Sequence, residues 1–374
     1  MRFIVSSAAL NARLQTLSKI INPKNSMQIM DCFLFNVRGQ QLVITASDQE
    51  NYVVSQIPVE EADSEGKFAI VSRNILEAMK ELPDQPLTFE VDMEHFAVTI
   101  RYQNGQYHFT AQDGDEYPDT PHIEGDCNVF TITGQKLVAG INRSLFATAV
   151  DNSHPAMTGV YFDLTADWLA IVTCDGHKLV RTRLFDIKSD SPASFILPKK
   201  PATALRSILG SESGDVVVKF TKQSAELTFG DGVVFCRLID SAFPNYNAVI
   251  ADDNPNIMEA DRKSLISALR RVTPFASESS QLIRLSLTTD QIEISSEDPD
   301  FARSAKEVMT CEYGGQTLSI GFRGQTLSDA LNNLDGERVQ FELADASRPG
   351  IIKPAENEEG QDVLMLLMPM LLNE

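Results

Sequence analysis

Residues 173–180 read TCDGHKLV, a stretch that places a thiol, a carboxylate and an imidazole close together. Cys174 and His177 are the residue types of a thiol hydrolase, in which a histidine activates the cysteine and an oxyanion site lies nearby. Cys174 and Asp175, however, are adjacent, and adjacent strand residues point to opposite faces. The sequence offers no glycine elbow or second base to complete such a centre. The pattern favours a binding or structural role, with catalysis as the alternative.

The five cysteines are scattered, with no CxxC pair and no His/Cys cluster at metal-ligand spacing. They predict free, mostly buried thiols in a reducing cytoplasm, with no metal and no cofactor. No run approaches the 18 or so apolar residues of a membrane helix, and residues 1–15 lack the apolar region of a secretory signal. The sequence therefore predicts a cytoplasmic protein with no membrane partner.

The elements that must position these side chains recur along the chain. Three segments, opening at Phe3, Phe130 and Met258, share one pattern at steps of 127 and 128 residues. In each, a capping residue stands three positions later, namely Ser6, Thr133 and Asp261. Apolar residues follow at i and i+4, which marks one buried face of a helix: Leu10 and Leu14, Leu137 and Ile141, Leu265 and Leu269. Each segment predicts a short strand, a cap and a helix.

A second set of segments, opening at Gly66, Ala193 and Thr317, also leads from a short strand into a helix. Arg73, Lys200 and Arg323 occupy corresponding positions in it. The stretches between helices alternate in the manner of strands. The sequence thus predicts an α+β protein with three tandem domains of like fold, each with two helices and antiparallel sheets, at residues 1–123, 124–252 and 253–374.

Charge is distributed unevenly over this pattern. The net charge of −20 at first argues against nucleic acid. The six predicted helices (7–20, 73–82, 133–147, 199–210, 262–272 and 323–334) nevertheless carry 14 Lys and Arg against three Asp and Glu, while the other 300 residues carry 18 bases and 49 acids. Basic helices on an acidic chain predict that the helices face a polyanion and that binding is salt-sensitive.

The size of duplex DNA limits how six helices per chain could surround it. Helices packed roughly 8–10 Å apart in a circle of six leave a hole of about 7 Å, whereas twelve leave about 24 Å. A duplex is about 20 Å across. If this protein encircles DNA, it should do so as a closed dimer.

The three repeats, the N-terminal MRF, CDGHKL at 174–179, FPNY at 243–246 and MPM at 368–370 together resemble the family of bacterial β sliding clamps. The resemblance implies a non-catalytic processivity factor that encircles double-stranded DNA as a head-to-tail ring dimer. It also implies partners: the α subunit of DNA polymerase III, the clamp loader and other proteins with a clamp-binding motif.

The resemblance implies a hydrophobic peptide pocket in which TCDGHKLV forms one wall. Its members would be Met157, Cys174, Gly176, His177, Leu179, Pro244, Val249, Ser347, Leu367, Met368, Pro369 and Met370. Methionine is flexible and polarizable and suits a surface that accepts many partners. The alternative for these methionines is ordinary core packing.

The resemblance also implies two further sets of residues. The proposed DNA contacts are Lys24, Arg73, Lys136, Arg143, Lys199, Lys200 and Arg206. The proposed dimer interface comprises Tyr107, Phe109, Phe275, Glu297 and Asp298.

The chain departs from the family pattern at the pocket rim, where Leu371, Asn247, Ala248, His154 and Ala156 replace basic or aromatic residues. The rim is therefore less positive, and the peptide preference is expected to differ. The alternative function is a repeat scaffold that binds proteins but not DNA, and the basic helices argue against it.

Overall fold

The structure is a computed structural model that describes residues 1–22, 25, 27–151, 153–210, 214–251 and 253–372. Lys24, one of the predicted DNA contacts, and the final residues Asn373 and Glu374 lie outside the described residues. Among the described residues, no helix is both long enough and apolar enough to cross a membrane.

In the described part of the chain, six α-helices form where the repeats predict them. Their bounds are α1 Ser7–Leu17, α2 Ser72–Lys80, α3 Gly134–Ser144, α4 Lys199–Leu209, α5 Arg262–Val272 and α6 Gly324–Asn332. A 3₁₀ turn, Leu145–Ala147, continues α3.

The three predicted caps are confirmed. Ser6 Oγ accepts from the Ala9 amide at 3.3 Å, Thr133 Oγ1 from Lys136 at 3.4 Å and Asp261 Oδ1 from Ser264 at 2.7 Å. Each bond satisfies one of the amides that the first helical turn leaves without an intrahelical partner. The six apolar positions of the repeat are fully buried.

The strands follow the alternating stretches of the sequence. In the first repeat they are β1 Arg2–Ser6, β2 Cys32–Arg38, β3 Gln41–Ser47, β4 Asn51–Pro58, β5 Glu61–Ala62, β6 Gly66–Val71, β7 Pro86–Asp92, β8 Ala97–Tyr102, β9 Gly105–Thr110 and β10 Gln112–Asp113. In the second they are β11 Asn128–Thr133, β12 Gly159–Leu164, β13 Leu169–Cys174, β14 Lys178–Leu184, β15 Ala193–Pro198, β16 Asp215–Phe220, β17 Ser224–Phe229 and β18 Gly232–Arg237. In the third they are β19 Asn256–Asp261, β20 Leu282–Thr288, β21 Gln291–Asp298, β22 Arg303–Thr310, β23 Glu312–Tyr313, β24 Leu318–Arg323, β25 Arg338–Leu343, β26 Gly350–Pro354 and β27 Gln361–Leu367.

These strands form two long and two short sheets. The first long sheet has the order β10-β6-β2-β3-β4-β18-β17-β16-β11, and the second β15-β12-β13-β14-β27-β26-β25-β19-β23. The first short sheet is β5-β1-β7-β8-β9, and the second is β22-β21-β20-β24. Each long sheet joins strands of two consecutive repeats through an antiparallel pair, β4 with β18 and β14 with β27.

The chain forms two compact units. The first unit comprises 1–138 and 197–239, and the second comprises 139–196 and 240–374. In the first unit α1 contacts α2 and α4, and in the second α5 contacts α6.

Each unit has its own core. In the first unit Phe3 stacks on Phe89 at 4.7 Å and Phe35 on Phe68 at 5.2 Å. In the second unit the alternating residues of β14 and β27 serve two apolar clusters. Val180 and Met365 belong to one, and Leu179 and Leu366 belong to the other. Because neighbouring strand residues face opposite sides, the second long sheet is packed on both faces.

Candidate functional site

The segment 174–178 is a β-hairpin turn between β13 and β14. Asp175 Oδ1 accepts from the amides of His177 and Lys178, both at 2.9 Å, and the Lys178 ammonium binds its other oxygen. Gly176 has a φ of +88°, a conformation that side-chain-bearing residues rarely adopt. Burial opposes ionisation of Asp175, but these hydrogen bonds outweigh it and hold the pKa of the carboxyl below its usual range. Asp175 therefore fixes the turn.

Cys174 is a packing residue. Burial raises the pKa of its thiol, and its Sγ accepts from the Gly176 amide at 3.3 Å. His177 is exposed, and among the described residues no hydrogen bond joins its ring to Cys174. A thiol with a raised pKa and no adjacent base is a poor nucleophile. The catalytic alternative is not supported by this geometry, and the described residues contain no metal-ligand cluster.

A cavity of 320 Å³ lies beside this hairpin in the second unit. Five residues of the predicted peptide pocket line it together with five others: Asp175, His177, Lys178, Phe322, Arg323, Thr326, Leu367, Met368, Pro369 and Met370. Its wall combines the thioether-rich end of the chain, an aromatic ring and two basic side chains. It can therefore accept an apolar side chain next to a polar or acidic group.

The C-terminal segment is held in place by backbone hydrogen bonds. The Met368 amide donates to the His177 carbonyl at 2.8 Å, and the Met370 amide donates to the Gly321 carbonyl at 2.8 Å. Met370 thereby forms a β-bridge with Gly321 on β24. A Cβ added at Gly321 would lie 2.8 Å from the Met370 carbonyl oxygen, so glycine is needed for this close approach.

The sequence patterns do not single out Gly321, Phe322 or Thr326, and they mark Arg323 as a repeated base with no link to the pocket. The contact between β24 and the chain end joins residues about 50 positions apart. No local pattern signals such a pairing, although the position of Arg323 just before a helix was visible in the repeat.

The other predicted pocket residues lie outside the cavity. Leu179 is 1% exposed and, with Cys174, belongs to the cluster that contains Tyr246. Leu179 faces the side of the sheet that Tyr246 and its neighbours cover, and its place in the peptide pocket stays a prediction. Gly176, Pro244, Val249 and Ser347 are exposed, and Met157 is half-buried.

The predicted DNA contacts have different surroundings. Lys199 and Arg206 on α4 are exposed. Arg73 is also exposed and pairs with Glu77 one turn later at 3.1 Å. Lys200 binds the nearly buried Asp48. Lys136 is half-buried.

Arg143 is a correction to the predicted DNA contacts. It is 6% exposed, its Nε donates to Asp335 at 3.0 Å and its Nη1 donates to Gln361 at 3.3 Å. A guanidinium committed to these partners is not available to a phosphate. The last turn of α3 therefore uses its base to join elements within the second unit.

Further exposed bases stand on the helices. Lys263 and Arg270 are seven positions apart on α5, which places them on one face. Lys19 follows α1 and donates to Ser207 at 2.7 Å. The sequence marks these bases only as part of the charge on the helices, because periodicity alone does not rank bases by exposure.

The predicted interface residues lie on the edge strand β9, on β21 next to the edge strand β22, and in a 3₁₀ turn. Tyr107 and Phe109 are half-buried on β9 at 6.3 Å between ring centroids. Phe275 is 40% exposed in a 3₁₀ turn beside β21 and β22. Glu297 is exposed, but Asp298 is 2% exposed and accepts from Arg303 at 2.8 and 3.1 Å. Asp298 is therefore corrected, since its charge is neutralised within the chain.

Three repeats of antiparallel sheet with two helices each make up the DNA clamp fold, and comparison with known proteins agrees. Models of the DNA polymerase III β subunit match its N-terminal domain at residues 1–121, its central domain at 131–245 and its C-terminal domain at 247–370. The chain belongs to this family, the β sliding clamps, and it is a non-catalytic processivity subunit.

Relatives and solved structures match the whole chain. The β sliding clamp of Pseudomonas aeruginosa is 26% identical over 98% of this chain and 99% of its own length, and that of Bacillus subtilis is 25% identical over 99% of each. A crystal structure of the P. aeruginosa clamp bound to griselimycin covers 100% of both chains with a TM-score of 0.92 at 26% identity. The Thermotoga maritima β subunit shares the fold at 24% identity and a TM-score of 0.89.

Proposed function

We propose that two copies of this chain associate head to tail into a closed ring that surrounds duplex DNA and tethers polymerase, clamp loader and other partners through the cavity beside Met370. The observation that carries the ring is the arrangement of sheet edges. Such a ring acts by topology, because it can slide along a duplex that passes through it.

Each short sheet has the same arrangement of strands as one half of a long sheet. In the long sheets the third strand of one meander, β4 or β14, pairs with the last strand of the next repeat, β18 or β27. By position in the repeat, β22 corresponds to β4 and β14, and β9 corresponds to β18 and β27. Both β22 and β9 end their sheets among the described strands. Joining β9 of one copy to β22 of another gives a third nine-stranded sheet.

The side chains of these edges suit burial in a seam. Val308 on β22 is 50% exposed, and Tyr107 and Phe109 lie on β9. Open strand edges are liabilities that proteins usually cover. Two copies that pair head to tail through both edges form a closed ring when the rotation that relates one copy to the next leads back to the first copy.

The exposed bases supply the affinity for DNA. Lys199, Arg206 and Arg73 are exposed in the first unit, and Lys263 and Arg270 are exposed in the second. Their attraction to phosphates is independent of base sequence. A surface that is attractive and nonspecific allows movement along the duplex.

The test is a measurement of mass followed by one of topology. Light scattering on the purified protein should give twice the 41.3 kDa chain mass. After loading onto nicked circular plasmid by the clamp loader of the same cell, the protein should remain bound until a restriction enzyme linearises the plasmid.

The control is a variant with a disrupted seam, Phe109→Ala with Phe275→Ala. It should lose dimerisation, because each buried aromatic contributes about 3–5 kcal/mol. Equal retention on circular and linear DNA would rule out topological binding. A double variant that stays dimeric at nanomolar concentration would place the seam elsewhere.

A further inference from the structure

A groove of 360 Å³ lies on the first long sheet, within the first unit. Its floor is a row of directly paired residues on four adjacent strands: Leu34 opposite Thr45, Thr45 opposite Val54 and Val54 opposite Val233. Paired residues of an antiparallel sheet project from the same face. With strands about 4.8 Å apart, the row is about 14 Å long. Leu34, Val54 and Val233 are only half-buried.

The second long sheet has the same row in the same register. Tyr161 lies opposite Val172, Val172 opposite Arg181 and Arg181 opposite Leu364. There the chain itself covers the row. Phe243 stacks on Tyr161 with ring centroids 4.5 Å apart.

A second aromatic completes this cover. The Tyr246 hydroxyl donates to Asp163 at 2.8 Å, and the Tyr246 side chain is 5% exposed. The second long sheet thus shows what such a row accepts: an irregular segment with two aromatic side chains, the second of which begins the 3₁₀ turn Tyr246–Val249.

The segments 117–120 and 243–246, called the crossing segments below, differ in their aromatic side chains, and this difference leaves the first row open. Tyr117-Pro118 and Phe243-Pro244 occupy equivalent places in the repeats. Three residues after the first aromatic, the second unit has Tyr246, whereas the first has Thr120, which lines the groove. Tyr117 is buried in a cluster at the edge of the row. The groove is therefore the space that a large aromatic side chain fills in the second unit.

The rim of the groove provides a cation. Asn36 is the counterpart of Asp163 in the second unit, because the two residues hold the same position in the strand pairing of their sheets. The Asn36 amide, with its oxygen toward Arg38, accepts from the Arg38 guanidinium at 2.9 and 3.0 Å. Arg38 is exposed and makes no ion pair among the described residues.

The other bases of the rim have carboxylate partners. Lys67 pairs with Asp115 at 3.2 Å and His122 with Glu226 at 3.3 Å. Asp119 lines the groove as well, so an incoming carboxylate is favoured at the Arg38 end. A guanidinium is well shaped for bidentate recognition of a carboxylate.

We propose that this groove is a second peptide-binding site, which takes a short segment of a partner protein with an aromatic residue followed by an acidic one. The aromatic ring of the bound peptide occupies the space over Val54 and Val233, and the carboxylate of the peptide pairs with Arg38. The site is distinct from the cavity beside Met370, and binding to it does not depend on formation of the closed dimer or on DNA.

The experiment is a methyl NMR titration of the full-length protein with the peptide acetyl-Ala-Phe-Asp-Leu-amide. Saturable shifts are expected at the methyls of Leu34, Val43, Val54 and Val233. The neutral peptide with Asn in place of Asp should bind roughly fivefold more weakly, because it loses a partly exposed charge-assisted hydrogen bond. The peptide with Ala in place of Phe should not produce these shifts.

Two variants make the test specific. Thr120→Tyr should fill the groove from within, as Tyr246 does in the second unit, and abolish the shifts, whereas Thr120→Val should bind normally. Arg38→Gln should bind the acidic peptide as weakly as the wild-type protein binds the neutral one.

Three results would overturn the proposal. One is the absence of shifts at the four groove residues at saturating peptide, and another is shifts confined to residues of the second unit such as Leu366 and Met370. The third is equal binding of acidic and neutral peptides by both the wild-type protein and Arg38→Gln. Because Arg38 is on the surface, this last comparison remains decisive even if Thr120→Tyr fails to fold.

Discussion

The two long sheets share one register but differ in what lies on the corresponding row. In the second unit Phe243 and Tyr246 cover Tyr161, Val172 and Leu364, while in the first unit Thr120 leaves Val54 and Val233 half-exposed. The repeat fixes backbone pairing, and side chains of the crossing segment decide whether a face becomes core or surface. A repeated fold can therefore use equivalent positions for stability in one place and for binding in another.

The largest expected effect comes from removing the cover of the second row. Tyr246→Ala should lower the free energy of unfolding by about 3–5 kcal/mol, because it leaves a cavity over an apolar cluster. Tyr246→Phe should cost only about 1 kcal/mol, since it loses one hydrogen bond to Asp163. Thr120→Ala, the matched change in the first unit, should be close to neutral. Urea denaturation of the three variants measures this, and equal losses at 120 and 246 would contradict the comparison.

The second effect concerns the C-terminal segment that docks on β24. Gly321→Ala places a methyl group 2.8 Å from the Met370 carbonyl oxygen, so the segment must move. Overpacking of this kind typically costs about 1–3 kcal/mol. We expect weaker binding of a clamp-binding peptide by calorimetry, with the dimer retained.

Gly314→Ala is the control for Gly321→Ala, because nothing lies within 4 Å of an added Cβ there. If Gly321→Ala binds the peptide as well as the Gly314→Ala protein does, the docked segment is not part of the site.

The third effect separates exposed from committed bases in the two units. Arg206→Ala should reduce the slope of log affinity for DNA against log salt by about 1, as expected for the loss of one phosphate contact. Arg143→Gln should leave that slope unchanged but destabilise the protein, because it removes the partner of Asp335. Fluorescence anisotropy over a salt series, with denaturation in parallel, distinguishes the two. A reduced slope for Arg143→Gln would return Arg143 to the DNA contacts.

The smallest effect is the pH dependence of the hairpin at Asp175. The folded-state pKa of this carboxyl lies below that of the unfolded chain, about 3.9. Its contribution to stability is therefore present at neutral pH and is lost as pH falls from about 4 through the folded-state value. The difference in unfolding free energy between wild type and Asp175→Asn should shrink over that window. A difference that grows on acidification would mean that folding raises the pKa of the Asp175 carboxyl and does not lower it.

The helices were predictable because their signals are local. A cap three residues after the opening residue and an apolar pair at i and i+4 are set within one or two turns, and all three caps form as expected. The basic character of the helices was likewise visible as composition.

The burial of particular side chains was less predictable. Arg143 and Arg206 both stand on basic helices, but only Arg143 meets a carboxylate from a segment nearly 200 positions away. The hairpin pattern locates Leu179 in the chain, but the burial of its side chain depends on Tyr246 from a separate segment. Gly321 became noticeable only through its contact with Met370. In each case the environment of the side chain is set by a long-range partner that a local pattern does not encode.

The edges of the two short sheets have a genetic consequence. Under head-to-tail pairing, each chain contributes β9 to one seam and β22 to the other. A chain defective in β9 mixed with a chain defective in β22 forms one seam from two sound edges and the other from two damaged ones. Such mutants cannot complement each other into a closed ring. Their mixture would instead yield a permanently opened dimer that holds together at one seam, and a cell that carries both alleles would gain nothing from having two.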